Sequence, residues 1–273
     1  MITTDLHVHT LHSHGRDTVE AMYESGRALG LSVIGFSEHS PRPAGYDYPT
    51  EYREKLQRGF PSYVEEVRAL QGRNVGPEVL FGMEMDWIGA EQAFVHEAAR
   101  AWPFDYLIGS VHFLGTWGYD SSPADWEPLD PSARARHYHD YFIAMKAMAS
   151  SNLFQIAAHP DLIKIFSVDS FRSWLSGDNL DLVRDALAAI RDAGMGMEIS
   201  VAGLRKPCAE IYPGPVIMRL AADLQVPITF ASDAHATSQI GYAWDQLAPY
   251  AASFGYTHSL VFKQGDRREV PFG

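Results

Sequence analysis

The 273-residue sequence contains a single cysteine, Cys208, so no disulfide can form within the chain. A chain of this length buries enough apolar surface to fold without such a staple. The lone thiol fits a reducing compartment. Basic residues are outnumbered, with 22 Lys and Arg against 34 Asp and Glu, for a formal charge of −12. That balance argues against general nucleic-acid binding, which needs a basic face. No apolar run approaches the ~20 residues that span a bilayer as a helix. The start, Met1-Ile2-Thr3-Thr4-Asp5, lacks the basic and apolar stretches of a signal peptide. Internal repeats, low-complexity tracts and linkers are missing too. The expectation is one domain over residues 1–273, soluble and cytoplasmic, with no nucleic-acid or membrane partner and with its oligomeric state left open.

What the sequence does have is an alternation of short apolar runs with helical segments. Strands are expected at Thr4–His9, Ser32–Ser37, Val79–Met85, Tyr106–Val111, Phe154–Ala158, Gly196–Ser200 and Ile228–Ser232, with an edge strand at His258–Phe262. Between them the pattern predicts helices over Asp17–Leu29, Thr50–Gln71, Ala90–Ala101, Ser132–Ser150, Leu180–Ala193, Gly214–Leu224 and Ile240–Phe254. Asp17 or Thr18 suits the first helix's N-cap and Gly30 its end. Two long loops are expected, a Pro- and Tyr-rich one over Pro41–Pro49 and a second over Thr116–Pro131. Strand–helix alternation with strands apolar throughout points to a parallel α/β fold buried on both faces.

Potential metal ligands close or follow most of those strands: His7, His9, His14, His39, Glu84, His112, His159, Asp233 and His235. Each has an ordinary reading alone, as a core histidine, a helix cap or half of a salt bridge. Jointly they favour a closed barrel, because ligands after nearly every strand converge only if the strand ends form a ring. His7 and His9 lie two apart on a strand and so share a face. Asp5 has the same parity and is positioned to support a ligating imidazole. Glu84 sits between Met83 and Met85, where a buried carboxylate needs a partner or a metal. Glu38 is read either as orienting an imidazole or as a solvated carboxylate, and His12 as ambiguous because it lies so near His14. Nitrogen and oxygen donors without thiolate suit Zn, Mn or Fe(II). Nine ligands exceed what one ion needs, so two or three ions sharing a bridging carboxylate fit better. Such a centre points to metal-assisted hydrolysis, with a phosphate ester as the expected substrate. The acidic net charge does not oppose an anionic substrate, because bound cations dominate the local field.

The segments D-L-H-V-H-T, S-H-G, S-E-H, G-M-E, G-S-V-H-F, A-H-P-D and S-D-A-H occur in this order from Asp5 to His235. This series resembles the polymerase and histidinol phosphatase (PHP) superfamily. The resemblance implies a distorted seven-stranded (β/α) barrel with three divalent metal ions at the C-terminal ends of the strands. It implies His7, His9, Glu84 and Asp233 around one ion, Glu84 bridging to a second held by His112 and His159, and His14, His39 and His235 around the third. The segments S-E-H-S-P-R-P, G-S-V-H-F-L-G-T-W-G-Y-D and S-V-A-G-L-R-K-P resemble the branch acting on histidinol phosphate. The implied chemistry is attack of a metal-bridging hydroxide on the phosphorus of that small phosphate monoester. Arg205 is then the expected phosphate ligand, its guanidinium fork matching phosphate geometry. Arg42 and Lys206 are secondary cations, and Trp117, Tyr119 and Tyr212 candidate walls for the substrate's imidazole. Asp5, Glu38 and His235 are candidates to protonate the leaving alkoxide. The competing readings are a related phosphoesterase acting on a sugar phosphate or nucleotide, a proofreading-type exonuclease, and a non-catalytic metal-binding regulatory module.

Overall fold

The computed structural model describes residues 1–47, 51–73 and 75–273. Seven parallel strands lie in chain order: β1 (Thr4–Val8), β2 (Val33–Phe36), β3 (Glu78–Asp86), β4 (Tyr106–Ser110), β5 (Ile156–Ala157), β6 (Gly196–Ser200) and β7 (Ile228–Ala231). Each pairs with the next. Past their ends, His9 N donates to Ala234 O at 2.8 Å and Val8 bridges Ala234 in parallel. The first and last strands therefore meet at their C-terminal ends and the sheet nearly closes. That ring is the expected distorted seven-stranded barrel.

The barrel is filled, not hollow. Leu80, Gly82, Glu84 and Asp86 of β3 share one face by strand parity. Leu6, Leu80, Tyr106, Ile108 and Ile156 pack together in one buried cluster. Tyr106 occupies much of this interior, its hydroxyl donating to Leu6 O at 2.6 Å. Gly35 and Gly82 make room for it: a Cβ on either would lie 2.2 or 2.5 Å from the tyrosine side chain. Greasy packing below and ligands above divide the same inward face.

Helices cover the outside: α1 (Val19–Leu29), α2 (Glu51–Gln71), α3 (Gln92–Arg100), α4 (Pro131–Ser150), α5 (Val168–Trp174), α6 (Asp178–Asp192), α7 (Pro215–Asp223) and α8 (Trp244–Ser253). Thr18 caps α1 through Ala21 N, and Gly30 ends it at φ 83°. The expected helix start at Thr50 and loop end at Pro49 lie outside the described residues. Among the described residues no helix is long and apolar enough to cross a membrane.

Three elements differ from expectation. The segment His258–Lys263 (β8) is not an edge strand of the barrel; it pairs antiparallel with Asp266–Pro271 (β9). Its Leu260, Val261 and Phe262 join the interior cluster. The short helix α5 was not expected, since its seven residues are too few to show a clear period. The loop after β4 contains a small hairpin, Phe113–Leu114 against Trp117–Gly118, turned by Gly115 at φ 62°.

Candidate metal centre

All nine expected ligands gather at the C-terminal end of the barrel, on the strand ends and the turns beyond them. Glu84 is at the centre and only 2 % exposed. Its Oε2 lies 3.2 Å from His7 Nε2, 3.3 Å from His9 Nε2 and 2.9 Å from His39 Nδ1. Its Oε1 faces the other way, 3.1 Å from His159 Nε2 and 3.5 Å from His112 Nε2. Asp233 Oδ1 lies 3.4 Å from His9 Nε2 and 3.5 Å from His235 Nδ1. The His14 ring lies tilted 4.1 Å from the His235 ring, and Tyr52 meets its Nδ1 through the phenol oxygen at 2.8 Å.

These residues fit divalent ions. His7 Nε2, His9 Nε2, both nitrogens of His39, His235 Nε2 and Glu84 Oε2 are buried yet make no hydrogen bond. Buried polar atoms without partners are costly, and so many in one place call for a cation between them. Ligands about 2.0–2.1 Å from a tetrahedral ion stand about 3.3 Å apart, close to the spacings around Glu84. Donor atoms converge in three sets: His7 with His9 and Asp233; His39 with Glu84 and His112; and His9 with His39 and His235. The first set, with Glu84 beside it, matches one expected grouping. The other two share His39 and His9 in ways the expected partition does not. Asp233 and His159 adopt φ of 49° and 23°, left-handed values that a non-glycine residue takes at a cost.

Carboxylates behind the imidazoles aim them. Glu198 Oε2 accepts from His7 Nδ1 at 2.6 Å, and Asp86 Oδ1 from His112 Nδ1 at 2.6 Å. Both leave Nε2 turned toward Glu84, as carboxylate-supported metal histidines do. Glu38 accepts from the Thr10 backbone and hydroxyl and lies 3.7 Å from His9 Nδ1. Burial disfavours charge on every group here, but the carboxylates outweigh it for some imidazoles. Asp233, Glu38 and Glu84 push His9 up to about 10, and Glu84 and Asp86 push His112 up to about 9. Burial and the neighbouring His9 instead drive His235 down to about 3. Against burial, His7, His39 and His112 hold Glu84 well below the usual carboxylate range. Metal binding here must displace protons from His9 and His112, because only neutral imidazole ligates.

The sequence reading missed Glu198 and Asp86. Gly196-Met197-Glu198 repeats the Gly82-Met83-Glu84 pattern that singled out Glu84, and Asp86 shares Glu84's strand parity. Both signals were present. Replacing Glu198 by Gln is expected to weaken metal affinity about 10- to 100-fold by unfixing His7. A metal titration with unchanged affinity would deny Glu198 that role.

Several expected substrate contacts lie elsewhere. Tyr119 is fully buried, its hydroxyl donating to Val111 O, and Tyr212 is 1 % exposed with Cys208 Sγ at its hydroxyl. Trp117 packs on Trp126 and His137. None of these three lines the cavity above the ligands. Arg205 donates Nη2 to the carbonyls of Ser232 at 2.8 Å and Asp233 at 2.9 Å, so it braces the Asp233 turn. Asp5 does not support an imidazole; its Oδ1 accepts from Ser232 N and His7 N, and burial raises it to about 6 despite those bonds. His12 turns away to Glu66 at 3.1 Å. A cavity of about 340 Å³ opens above the ligands, floored by His14, His39 and His112, with Arg42 and Lys206 on its walls. Arg42 is itself held by Asp86, at 2.6 Å from Nε.

Comparison with known proteins agrees with this arrangement. A Deinococcus radiodurans protein named "Probable histidinol-phosphatase" is 34% identical over 242 residues, covering 87% of this chain and 88% of that protein. The Bacillus subtilis "Histidinol-phosphatase" is 28% identical, covering 88% of this chain and 96% of its own. A crystal structure of histidinol phosphate phosphatase from Lactococcus lactis, complexed with zinc, L-histidinol and phosphate, shares the fold with a TM-score of 0.74 at 18% identity. It covers 97% of this chain and 98% of its own. The PHP domain family model matches residues 5–202, a span that carries seven of the nine clustered ligands. With the barrel nearly closed and its ligand candidates gathered at one end, the chain belongs to the PHP domain family.

Proposed function

We propose that the protein hydrolyses L-histidinol phosphate to L-histidinol and inorganic phosphate, a step of histidine biosynthesis, using three divalent ions drawn from zinc, manganese and iron. The observation that carries the chemistry is Glu84, with its two oxygens presented to opposite sets of imidazoles beneath a cavity walled by Arg42 and Lys206. The substrate follows the relatives' names, and the alignment runs nearly the full length of both partners.

When bound, divalent ions polarise phosphoryl oxygens and activate water for direct hydrolysis without a covalent enzyme intermediate. The chain's own residues supply the rest. Lys206, exposed at the mouth, attracts the phosphate dianion. Glu198 and Asp86 hold His7 and His112 at fixed angles, so little reorganisation is needed as charge develops. Arg205 fixes the turn that presents Asp233. Neither Asp5 nor Glu38 lines the cavity, so their part is support of the ligand frame and not contact with the leaving group.

The test is phosphate release by protein purified with its native metals, alongside elemental analysis. Histidinol phosphate is expected to exceed sugar phosphates and nucleotides in kcat/KM. Equal turnover across that panel would reduce the assignment to a general phosphoesterase.

A further inference from the structure

A second cavity, of about 510 Å³, is bounded by the turn after β3, the small hairpin after β4 and helix α4. Its walls are mostly apolar, with Trp87, Ile88, Phe113, Leu114 and Ile143 among them. The Trp87 indole N–H has no acceptor among the described residues. It lies beside Gly89, another lining residue: a Cβ there would stand 3.9 Å from Trp87 Nε1. Asp140 is the one charged group among the described residues that line the cavity. Its exposed contact with the neighbouring His139, at 3.5 Å, uses one of a carboxylate's roughly four lone-pair sites. Burial holds the His137 ring below its ordinary value in spite of Asp140, so that lining residue stays neutral near pH 7.

Aromatic and aliphatic walls with one carboxylate, and with no Lys or Arg among the described lining residues, suit an aromatic cation and repel a phosphate dianion. Hydrolysis of an aminoalkyl phosphate makes that very change of charge. The ester carries a dianion against one ammonium, whereas the released amino alcohol carries the ammonium alone. The cavity also shares a residue with the metal side. Phe113 lines it and directly follows the ligand candidate His112, and Arg42 lies 5.0 Å over the Phe113 ring. Arg42 in turn stands in the wall of the cavity above the ligands and bonds Asp86, which orients His112. A ring wedged against Phe113 therefore disturbs the seat of Arg42 and of His112 together.

We propose that this cavity is a second site for the amine product: it takes a small aromatic or heteroaromatic ammonium such as L-histidinol, and its filling slows the enzyme through Phe113. This goes beyond the phosphatase reading, and the choice of occupant rests on it. The ring lies among Trp87, Phe113 and Ile143, the ammonium meets Asp140, and the alcohol oxygen accepts from the Trp87 N–H. Substrate is kept out by its phosphate, so the site responds to accumulated product and not to the ester. Binding here and binding of phosphate at the metal side weaken each other by the same factor, as linkage requires.

The experiment measures steady-state inhibition of the metal-replete protein by L-histidinol and by 2-phenylethylamine, with histidinol phosphate and p-nitrophenyl phosphate as substrates. Wild type is compared with Asp140→Asn and Ala147→Phe, two exposed positions on α4 that line this cavity and not the one above the ligands. Both variants should keep the uninhibited kcat and KM. In wild type each amine should lower kcat as well as raise KM. Asp140→Asn should weaken the effect on kcat about fivefold or more, and Ala147→Phe, whose ring takes up the space, should abolish it. Purely competitive inhibition in wild type, or an unchanged kcat effect in both variants, overturns the inference. A kcat effect of 2-phenylethylamine that L-histidinol does not share rules out the product as occupant and overturns it too. Because p-nitrophenyl phosphate reads the site even if histidinol phosphate is not turned over, failure of the substrate reading is told apart from failure of this site.

Discussion

Replacing Glu84 by Ala is expected to strip the protein of most of its bound metal and to lower phosphate release more than about a thousandfold. The reason is geometric. Among the described residues no other carboxylate reaches both halves of the ligand cluster: Oε2 meets His7, His9 and His39, and Oε1 meets His112 and His159. Asp233 touches only the His7, His9 and His235 side. Without Glu84, Asp233 still faces His7 and His9, but the two halves of the cluster lose the carboxylate they share, and positive ions no longer have a common counter-charge. Glu84→Gln separates charge from shape. It keeps a side chain of the same size and can still meet Ser110 Oγ, which donates to Oε1 at 2.6 Å. It should fold as well as wild type but still lose metal. Elemental analysis and phosphate release on both variants decide the matter. A Glu84→Ala enzyme with full metal content and normal turnover would remove Glu84 from the bridge and undo the assigned site.

Glu84 could be read from the sequence because an acidic residue in an apolar strand violates the local pattern. The same violation marks Glu198, between Met197 and Ile199 in β6. Ligand residues declare themselves by type and by their place at strand ends. The groups that orient them are ordinary carboxylates, and which imidazole each serves depends on the curvature of the barrel. His7 and Glu198 are 191 residues apart and meet only because β1 and β6 lie on one closed ring. The strands themselves were legible from their apolar runs. The role of β8 was not: Leu260, Val261 and Phe262 look like any edge strand until Asp266–Pro271 folds back to pair with them. Aromatic residues near the site misled for a related reason. Tyr119 and Tyr212 lie beside ligand-bearing segments, but proximity in sequence does not say whether a ring faces the cavity or the core. Arg205 reads as a phosphate fork; the carbonyls of Ser232 and Asp233 take its Nη2, while its Nη1 is buried without a hydrogen-bond partner.

The largest stability effect is expected from Lys164, which the sequence gives no reason to notice. It is 1 % exposed, with its ammonium 2.7 Å from Asp161, 2.8 Å from Glu210 and 3.3 Å from Ile211 O. Asp161 also accepts from Gly214 N at 2.7 Å. This cluster ties the turn after His159 to the end of the segment that carries Arg205 and Lys206. In Lys164→Met the buried Asp161 loses its counter-charge, and breaking such a pair costs about 3–5 kcal/mol. The pH dependence follows from the sign of the shift. Burial already raises Asp161 above its ordinary value even with Lys164 beside it, and removing the lysine raises it further. A carboxyl whose folded-state pKa is raised binds more protons folded than unfolded, so its penalty is full above the folded pKa and fades as pH falls through it. The stability gap between wild type and Lys164→Met should therefore be widest from neutral pH up to the point where Lys164, raised by Asp161 and Glu210, loses its own proton, and narrow toward acid. Titrations common to both proteins cancel in that difference. Adding Asp161→Asn to Lys164→Met should recover part of the loss, since a neutral amide tolerates the site better than a lone charge. Urea unfolding of the three proteins across pH measures all of this. A gap that stays constant with pH, or a double variant no more stable than the single, would show that Lys164 acts through packing and not through its charge.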